Sequence, residues 1–166
     1  MEIGSNDGVM LEHLVRNNIK CLGIEPSLNV AKVSENYGVE VINEFISSEI
    51  AEKVITNKGK ANVVYAANVF CHIPDINDLA KACSSLLKEN GLLIFEDPYL
   101  GDVIEKVSYD QIYDEHIFIF SVTAINKIFN LFEMQLIDCV PQDTHGGSMR
   151  YVISRKNIYP INKNVN

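Results

Sequence analysis

The sequence predicts an α/β domain with a mostly parallel sheet and helices on both of its faces. Three observations predict it. An acidic residue and a glycine-bearing turn, Glu2-Ile3-Gly4-Ser5-Asn6-Asp7-Gly8, join a scrap of apolar strand to a helical pattern. Short apolar strands and amphipathic helices then alternate five times. Two alternating runs separated by a short loop close the chain. Repeated strand–helix alternation with short connections is the pattern of a doubly wound sheet.

Met1 to Ile3 form the first strand, and Met10, Leu11, Leu14 and Val15 one face of the helix that follows. Cys21 to Ile24 read as a second strand, ending in Glu25 and stopped by Pro26. Ser27 is the expected N-cap of a helix to about Tyr37, with Gly38 as its stop. Val39 to Ile42 is a third strand. Ser47 or Ser48 opens a helix carrying Ile50, Ala51, Val54 and Ile55, ended near Gly59. The continuous apolar run Ala61 to Ala67 predicts a strand buried on both faces. Asp75 caps a helix with Ile76, Leu79, Ala80, Cys83, Leu86 and Leu87 in register, ended by Gly91, and Leu92 to Glu96 is the fifth strand.

Gly101 to Phe120 is polar and aromatic without a clear period. Ser121 opens a helix with Val122, Ile125, Ile128, Phe129 and Phe132 on one face. Met134 to Val140 and Met149 to Arg155 then pair as an antiparallel hairpin. Nicotinamide-binding Rossmann domains do not usually end so; the seven-stranded sheet of class I methyltransferases does. The expected organisation is a core over 1–155 and a polar tail or linker over 156–166, disordered or leading to a further domain. A central strand usually runs about 5–6 residues, so the first strand is expected to be cut short, by a misplaced start or because the chain is a fragment.

With 166 residues and 47% hydrophobic content, one globular domain with a real core is expected. The net charge of −8 argues against nucleic acid or an anionic membrane as a partner. No apolar run nears the roughly 20 residues of a membrane span, and the first residues do not read as a signal peptide, so a cytoplasmic location is expected. Cys21, Cys71, Cys83 and Cys139 are scattered, without C-x-x-C. They read as small buried hydrophobes in a reducing compartment, and no metal site is expected.

The opening turn can floor a nucleotide site. Gly4 and Gly8 allow positive φ and close approach, and Asn6 tolerates the left-handed region. Glu25, 17 residues after Gly8 at the end of the second strand, can accept both ribose hydroxyls of an adenosine. Phe45 and Ile46 either pack on an adenine or belong to the core. Ala67-Asn68 ends the fourth strand at the same edge, where open α/β sheets bind ligands. His72 follows, either facing substrate or hydrogen-bonded structurally. Glu96-Asp97-Pro98-Tyr99 lines the opposite wall. Tyr109-Asp110-Gln111-Ile112-Tyr113-Asp114-Glu115-His116 gathers two tyrosines, three carboxylates and a histidine, as a solvated loop or as a catalytic cluster. His145, before Gly146-Gly147, is a turn residue or reaches the same site.

Taken in order, Glu2 to Gly8, Gly23-Ile24-Glu25-Pro26-Ser27 with Asn29-Val30-Ala31, Asn68-Val69, Glu96 with Pro98-Tyr99, Ile112-Tyr113 with Glu115-His116, and His145 to Ser148 resemble the S-adenosylmethionine-dependent sugar C-methyltransferases, which act on nucleotide-linked keto-deoxysugars. The resemblance runs from Glu2 to about Arg155. It implies a Rossmann-like class I methyltransferase fold and S-adenosylmethionine held by Glu2, Gly4, Ser5, Asn6, Gly8, Glu25, Pro26, Phe45 and Asn68. Asn68, His72, Tyr99, Tyr113 and His145 would lie about a small nucleotide-sugar substrate. His116 would remove the proton α to the ketone, Glu115 would orient it, and Tyr113 would hydrogen-bond either the enolate oxygen or the sugar phosphate. Asp114 stands where such enzymes commonly have histidine. Their N-terminal zinc module and second large domain have no counterpart in this sequence. The alternative expectation is therefore a truncated or vestigial cofactor-binding module that needs missing domains or a partner chain.

Overall fold

The computed structural model describes residues 1–165. In chain order the elements are β1 (Glu2–Ile3), α1 (Val9–Arg16), β2 (Gly23–Ile24), α2 (Leu28–Glu35), β3 (Val41–Ile42), α3 (Ser48–Lys58), β4 (Ala61–Ala67), α4 (Ile76–Leu86), β5 (Leu87–Pro98), α5 (Leu100–Glu105), α6 (Val122–Asn130), β6 (Met134–Gln142) and β7 (Ser148–Arg155). The sheet has seven strands in the order β3-β2-β1-β4-β5-β7-β6. β1 to β5 run parallel, and β7 is antiparallel to both neighbours. The expected Rossmann-like class I methyltransferase fold is the one present. The order reverses at β1, beside β4, so right-handed crossovers put α1 and α2 on one face and α3 and α4 on the other.

Helix starts follow side-chain chemistry. Ser47 Oγ accepts from the Ile50 amide at 3.2 Å, Asp75 Oδ1 from Asp78 at 2.9 Å and Ser121 Oγ from Ala124 at 3.1 Å. Ser27 differs: its side chain makes no cap bond, and its own amide donates to Glu25 Oε1 at 2.8 Å. Val64, Ala66, Leu93, Phe95 and Tyr151 bury against α4 and α6, with Phe95 stacked on Phe70 at 4.3 Å and on Tyr151 at 4.8 Å.

The structure corrects three expectations and fills in a fourth region. Gly91 does not end a helix: α4 stops at Leu86 and β5 already pairs Leu87 with Ala61. The register then shifts before Val63 pairs with Leu92. Gly91 is needed because a Cβ there would stand 3.1 Å from the Ala61 carbonyl oxygen. β4 is buried on one face only, since α3, α4 and α6 share the Val64–Ala66 side while Val63 is 41% exposed. Within 101–120, α5 and a 3-10 turn at Tyr109–Gln111 appear, too short to impose a period. The segment after β7 folds back on the sheet edge: Asn162 donates its amide to Ile137, and Cys139 Sγ meets the Asn164 carbonyl. Among the described residues no helix is long and apolar enough to cross a membrane.

Candidate functional site

Three strand ends, those of β1, β2 and β4, open on a crevice of about 540 Å3 lined by Gly4, Ile24, Glu25, Phe45, Asn68 and His72 among others. Its size falls in the range of about 300–1,000 Å3 common for small-molecule sites. Gly4 sits at φ +68, and a Cβ there would come within 2.5 Å of Val69 Cγ2. Only glycine lets the chain turn this tightly under the β4 loop. Glu25 is buried, and its two carboxylate oxygens accept from the amides of Asn6 at 3.0 Å and Ser27 at 2.8 Å. It therefore ties the opening turn to the start of α2. Each oxygen keeps a further lone pair for a ligand hydroxyl. Phe45 is 78% exposed, a large ring left open at the crevice rim, which excludes the core-packing alternative. Pro26 and Ile46 lie on the same wall.

The remaining residues expected around the cofactor support the floor from behind, outside the crevice lining. Asn6 takes the expected left-handed conformation at φ 51. Gly8 is buried under α2, where a Cβ would meet Ser34 Oγ at 2.8 Å, so its freedom serves packing rather than ligand approach. Ser5 and Glu2 are buried, and Ser5 Oγ and Glu2 Oε2 have no hydrogen-bond partner among the described residues. Burial pushes the Glu2 carboxyl up to about 7.

The 3-10 turn Phe70–His72 after β4 carries the second part of the site. The Cys71 carbonyl accepts from the amides of Ile117 and Phe118, at 2.9 and 3.2 Å, which brings the Tyr113–His116 segment alongside. His116 Nδ1 lies 2.7 Å from the Gln111 carbonyl oxygen. A carbonyl only accepts, so Nδ1 carries a proton, and in the neutral tautomer Nε2 holds the lone pair. Tyr113 Oη, 3.0 Å from Nε2, donates to it. His72 repeats the arrangement, with Nδ1 2.7 Å from the Glu115 carbonyl oxygen. The two imidazoles lie 5.0 Å apart between ring centres. A second cavity of about 360 Å3 opens over His72, Asp114, Glu115 and Ile117. His72 lines both cavities and so joins the crevice to the cluster.

Some expected residues are placed differently. Glu115 does not orient His116; the Gln111 backbone does, and Glu115 lends its backbone to His72 while its side chain is exposed. Tyr99 is half-buried over Gly101 at the end of β5. His145 is exposed on the β6–β7 turn at φ 53, outside both cavity linings. Glu96 is held by Arg150, whose Nε and Nη2 lie 2.9 and 2.7 Å from its Oε1. Next to it on β5, Asp97 is 1% exposed and outside both cavity linings, with Oδ1 3.3 Å from the Cys71 amide behind the site. Burial pushes its carboxyl up to about 6. Gln111 and Cys71 escaped the sequence reading because one acts through its backbone and the other looked like an ordinary core thiol. The adjacency of Cys71 to His72 was the one available signal.

A family model described as "Methyltransferase domain" matches residues 1–138. The chain is 34% identical over 149 residues to the C-methyltransferase NovU of Streptomyces niveus, covering 90% of this chain and 36% of that protein. It is 32% identical over 99 residues to the ubiquinone biosynthesis O-methyltransferase of Colwellia psychrerythraea, covering 57% of this chain and 39% of that protein. The chain thus spans little more than a third of the length of these relatives. Among solved structures, a SAM-dependent methyltransferase from Anabaena variabilis superposes with a TM-score of 0.71 at 15% identity, over 93% of this chain and 76% of that one. Magnesium protoporphyrin IX methyltransferase from Synechocystis, with bound SAM, gives 0.66 at 13% identity, over 93% and 68%.

Proposed function

The chain belongs to the methyltransferase-domain family, and from that premise we propose that it is the core of an S-adenosylmethionine-dependent C-methyltransferase acting on a nucleotide-linked keto-deoxysugar. The observation that carries this reading is the juxtaposition through His72. A crevice of a size for an adenosine reaches His72, whose ring centre lies 5.0 Å from that of His116, and the Gln111 carbonyl holds His116 Nδ1 so that Nε2 is left to take a proton. S-adenosylmethionine supplies an electrophilic methyl on a sulfonium. Gly4, Glu25, Phe45 and Asn68 would hold it: the glycine clears the floor, the carboxylate would take the ribose hydroxyls and the open ring would cover the adenine. The NovU relative favours carbon as the acceptor.

In this reading His116 Nε2 removes the proton α to the sugar ketone, and the Gln111 carbonyl stabilises the imidazolium through Nδ1–H. Tyr113 Oη, now bonded to Nε2, turns to donate to the developing enolate oxygen. His72, fixed by the Glu115 carbonyl, aligns the sugar between the base and the crevice. Holding two reactants in line contributes on the order of 7–11 kcal/mol. The test is proton exchange. In D2O without S-adenosylmethionine the chain should wash deuterium into the α-position of a keto-deoxysugar nucleotide, and with the cofactor it should form the methylated sugar. Equal exchange by His116→Gln would remove the base assignment.

A second reading has its own observation. Ile104, Val107 and Ile112 are 66–70% exposed along the segment that carries the base. Such a surface suits a chain that needs a further domain or partner, such as the zinc module and C-terminal domain of the sugar enzymes, to close over substrate. Calorimetric binding of S-adenosylmethionine without turnover would favour this reading; turnover by the chain alone would reject it.

A further inference from the structure

Cys71, His72 and His116 form a cluster that the methyl-transfer reading uses only in part. The Cys71 Sγ and one ring nitrogen of each histidine all lie within 4.8 Å of one another. Both histidines spend Nδ1–H on a backbone carbonyl at 2.7 Å, Glu115 for His72 and Gln111 for His116. That outer hydrogen bond is the usual companion of a metal-ligating histidine, because it fixes the tautomer and raises the basicity of the other nitrogen. Two segments distant in sequence are pinned to each other through the Cys71 carbonyl. The donor set of one thiolate and two imidazoles is borderline-soft.

We propose that Cys71, His72 and His116 bind a divalent transition metal, Zn2+ before others, with an open fourth position. Bond lengths of about 2.0–2.1 Å to N and 2.3 Å to S put the tetrahedral ligand atoms of this set about 3.3–3.6 Å apart. From separations within 4.8 Å, the three groups close by about 1 Å on the metal. The Cys71 S–H bond breaks, its proton leaves to solvent, and the thiolate binds the metal. Burial beside Asp97 keeps the free thiol protonated, so the metal charge is what stabilises the thiolate. The cavity over His72, with Asp114 and Glu115 on its wall, leaves room for water at the fourth position and favours a cation. Binding through Nε2 displaces the Tyr113 hydrogen bond and occupies the lone pair proposed for proton abstraction. The metal is therefore an inhibitor of that step.

Cobalt tests the site without any substrate. Titrating the whole chain with Co2+ should raise a near-ultraviolet thiolate-to-cobalt band that saturates at equimolar metal and is bleached by Zn2+. Cys71→Ser should lose the band while Cys21→Ser keeps it, and His72→Gln should weaken binding at least tenfold. No thiolate band, or an undiminished band in Cys71→Ser, overturns the proposal. If Cys71→Ser fails to fold, an unchanged titration midpoint in His72→Gln overturns it equally. Methyl transfer measured in chelator tests the base separately, so either assignment can fail while the other stands.

Discussion

The two halves of the site are built in opposite ways. The crevice is made by strand ends and backbone: Gly4 turns under Val69, and Glu25 locks the turn to α2 through two amides. The cluster proposed to abstract the proton is made by side chains on a loop, where Tyr113 is 46% and Ile112 66% exposed. The crevice is shaped before any ligand arrives; the cluster is aimed by two carbonyl contacts and little packing. Cofactor affinity should therefore reside in the first region and reaction chemistry in the second. Substitutions that confuse the two would break the division.

The largest expected effect is on chemistry alone. His116→Gln should lower methyl transfer by about 10^2–10^4-fold, the usual contribution of a positioned general base. The dissociation constant for S-adenosylmethionine should stay within about twofold of the parent. Weakened cofactor binding by calorimetry would show that the loop and the crevice are one unit. Next is Glu25→Ala. It removes the proposed ribose acceptor and leaves the Asn6 and Ser27 amides without their partner. The cofactor should bind about 10–100-fold more weakly, as loss of charge-assisted hydrogen bonds worth about 1.5–3 kcal/mol implies. If His116 acts independently of this crevice, α-proton exchange in D2O without cofactor should survive. Smaller again is Tyr113→Phe. The base remains but the proposed enolate donor is lost, so turnover should fall about tenfold with KM little changed. A KM effect instead would assign Tyr113 to the sugar phosphate.

The same division governs what the sequence could tell. Gly4, Asn6 and Glu25 were legible because their roles are local: positive φ in a turn, and an acid at a strand end. The sheet was legible because apolar periodicity reports burial, and it failed where tertiary packing overrode it. Leu87 kept the period of α4 yet begins β5, and Val63 lies in an apolar run yet faces outward. The loop cluster was visible as composition, but not its wiring. A histidine beside a glutamate suggested a side-chain pair, whereas a carbonyl five residues back orients His116. Backbone acceptors carry no residue-type signal. Gly8 is the converse case: its place in a motif suggested ligand approach, and the position is filled by Ser34.

The weakest expected effect tests whether the crevice floor is as settled as its backbone suggests. Glu2 pairs with Gly23 and Tyr65 at the centre of the sheet, and its Oε2 is buried without a partner among the described residues. Burial raises its carboxyl from an ordinary 4.5 to about 7, and the chain amine beside it lowers it only in part. Between these values the folded chain holds a proton that the unfolded chain has released. Stability therefore falls as pH rises through that window and has no further dependence on this group above it. Partial screening leaves an effect on the order of 1–2 kcal/mol, a few degrees in melting temperature. Glu2→Gln keeps the shape and cannot ionise, so its melting temperature should lose this decline between pH 5 and 7, by calorimetry at about half-unit steps. A decline equal to the parent's would mean that Glu2 is ionised in the fold, with its second oxygen partnered. The floor under Gly4 would then carry a charge.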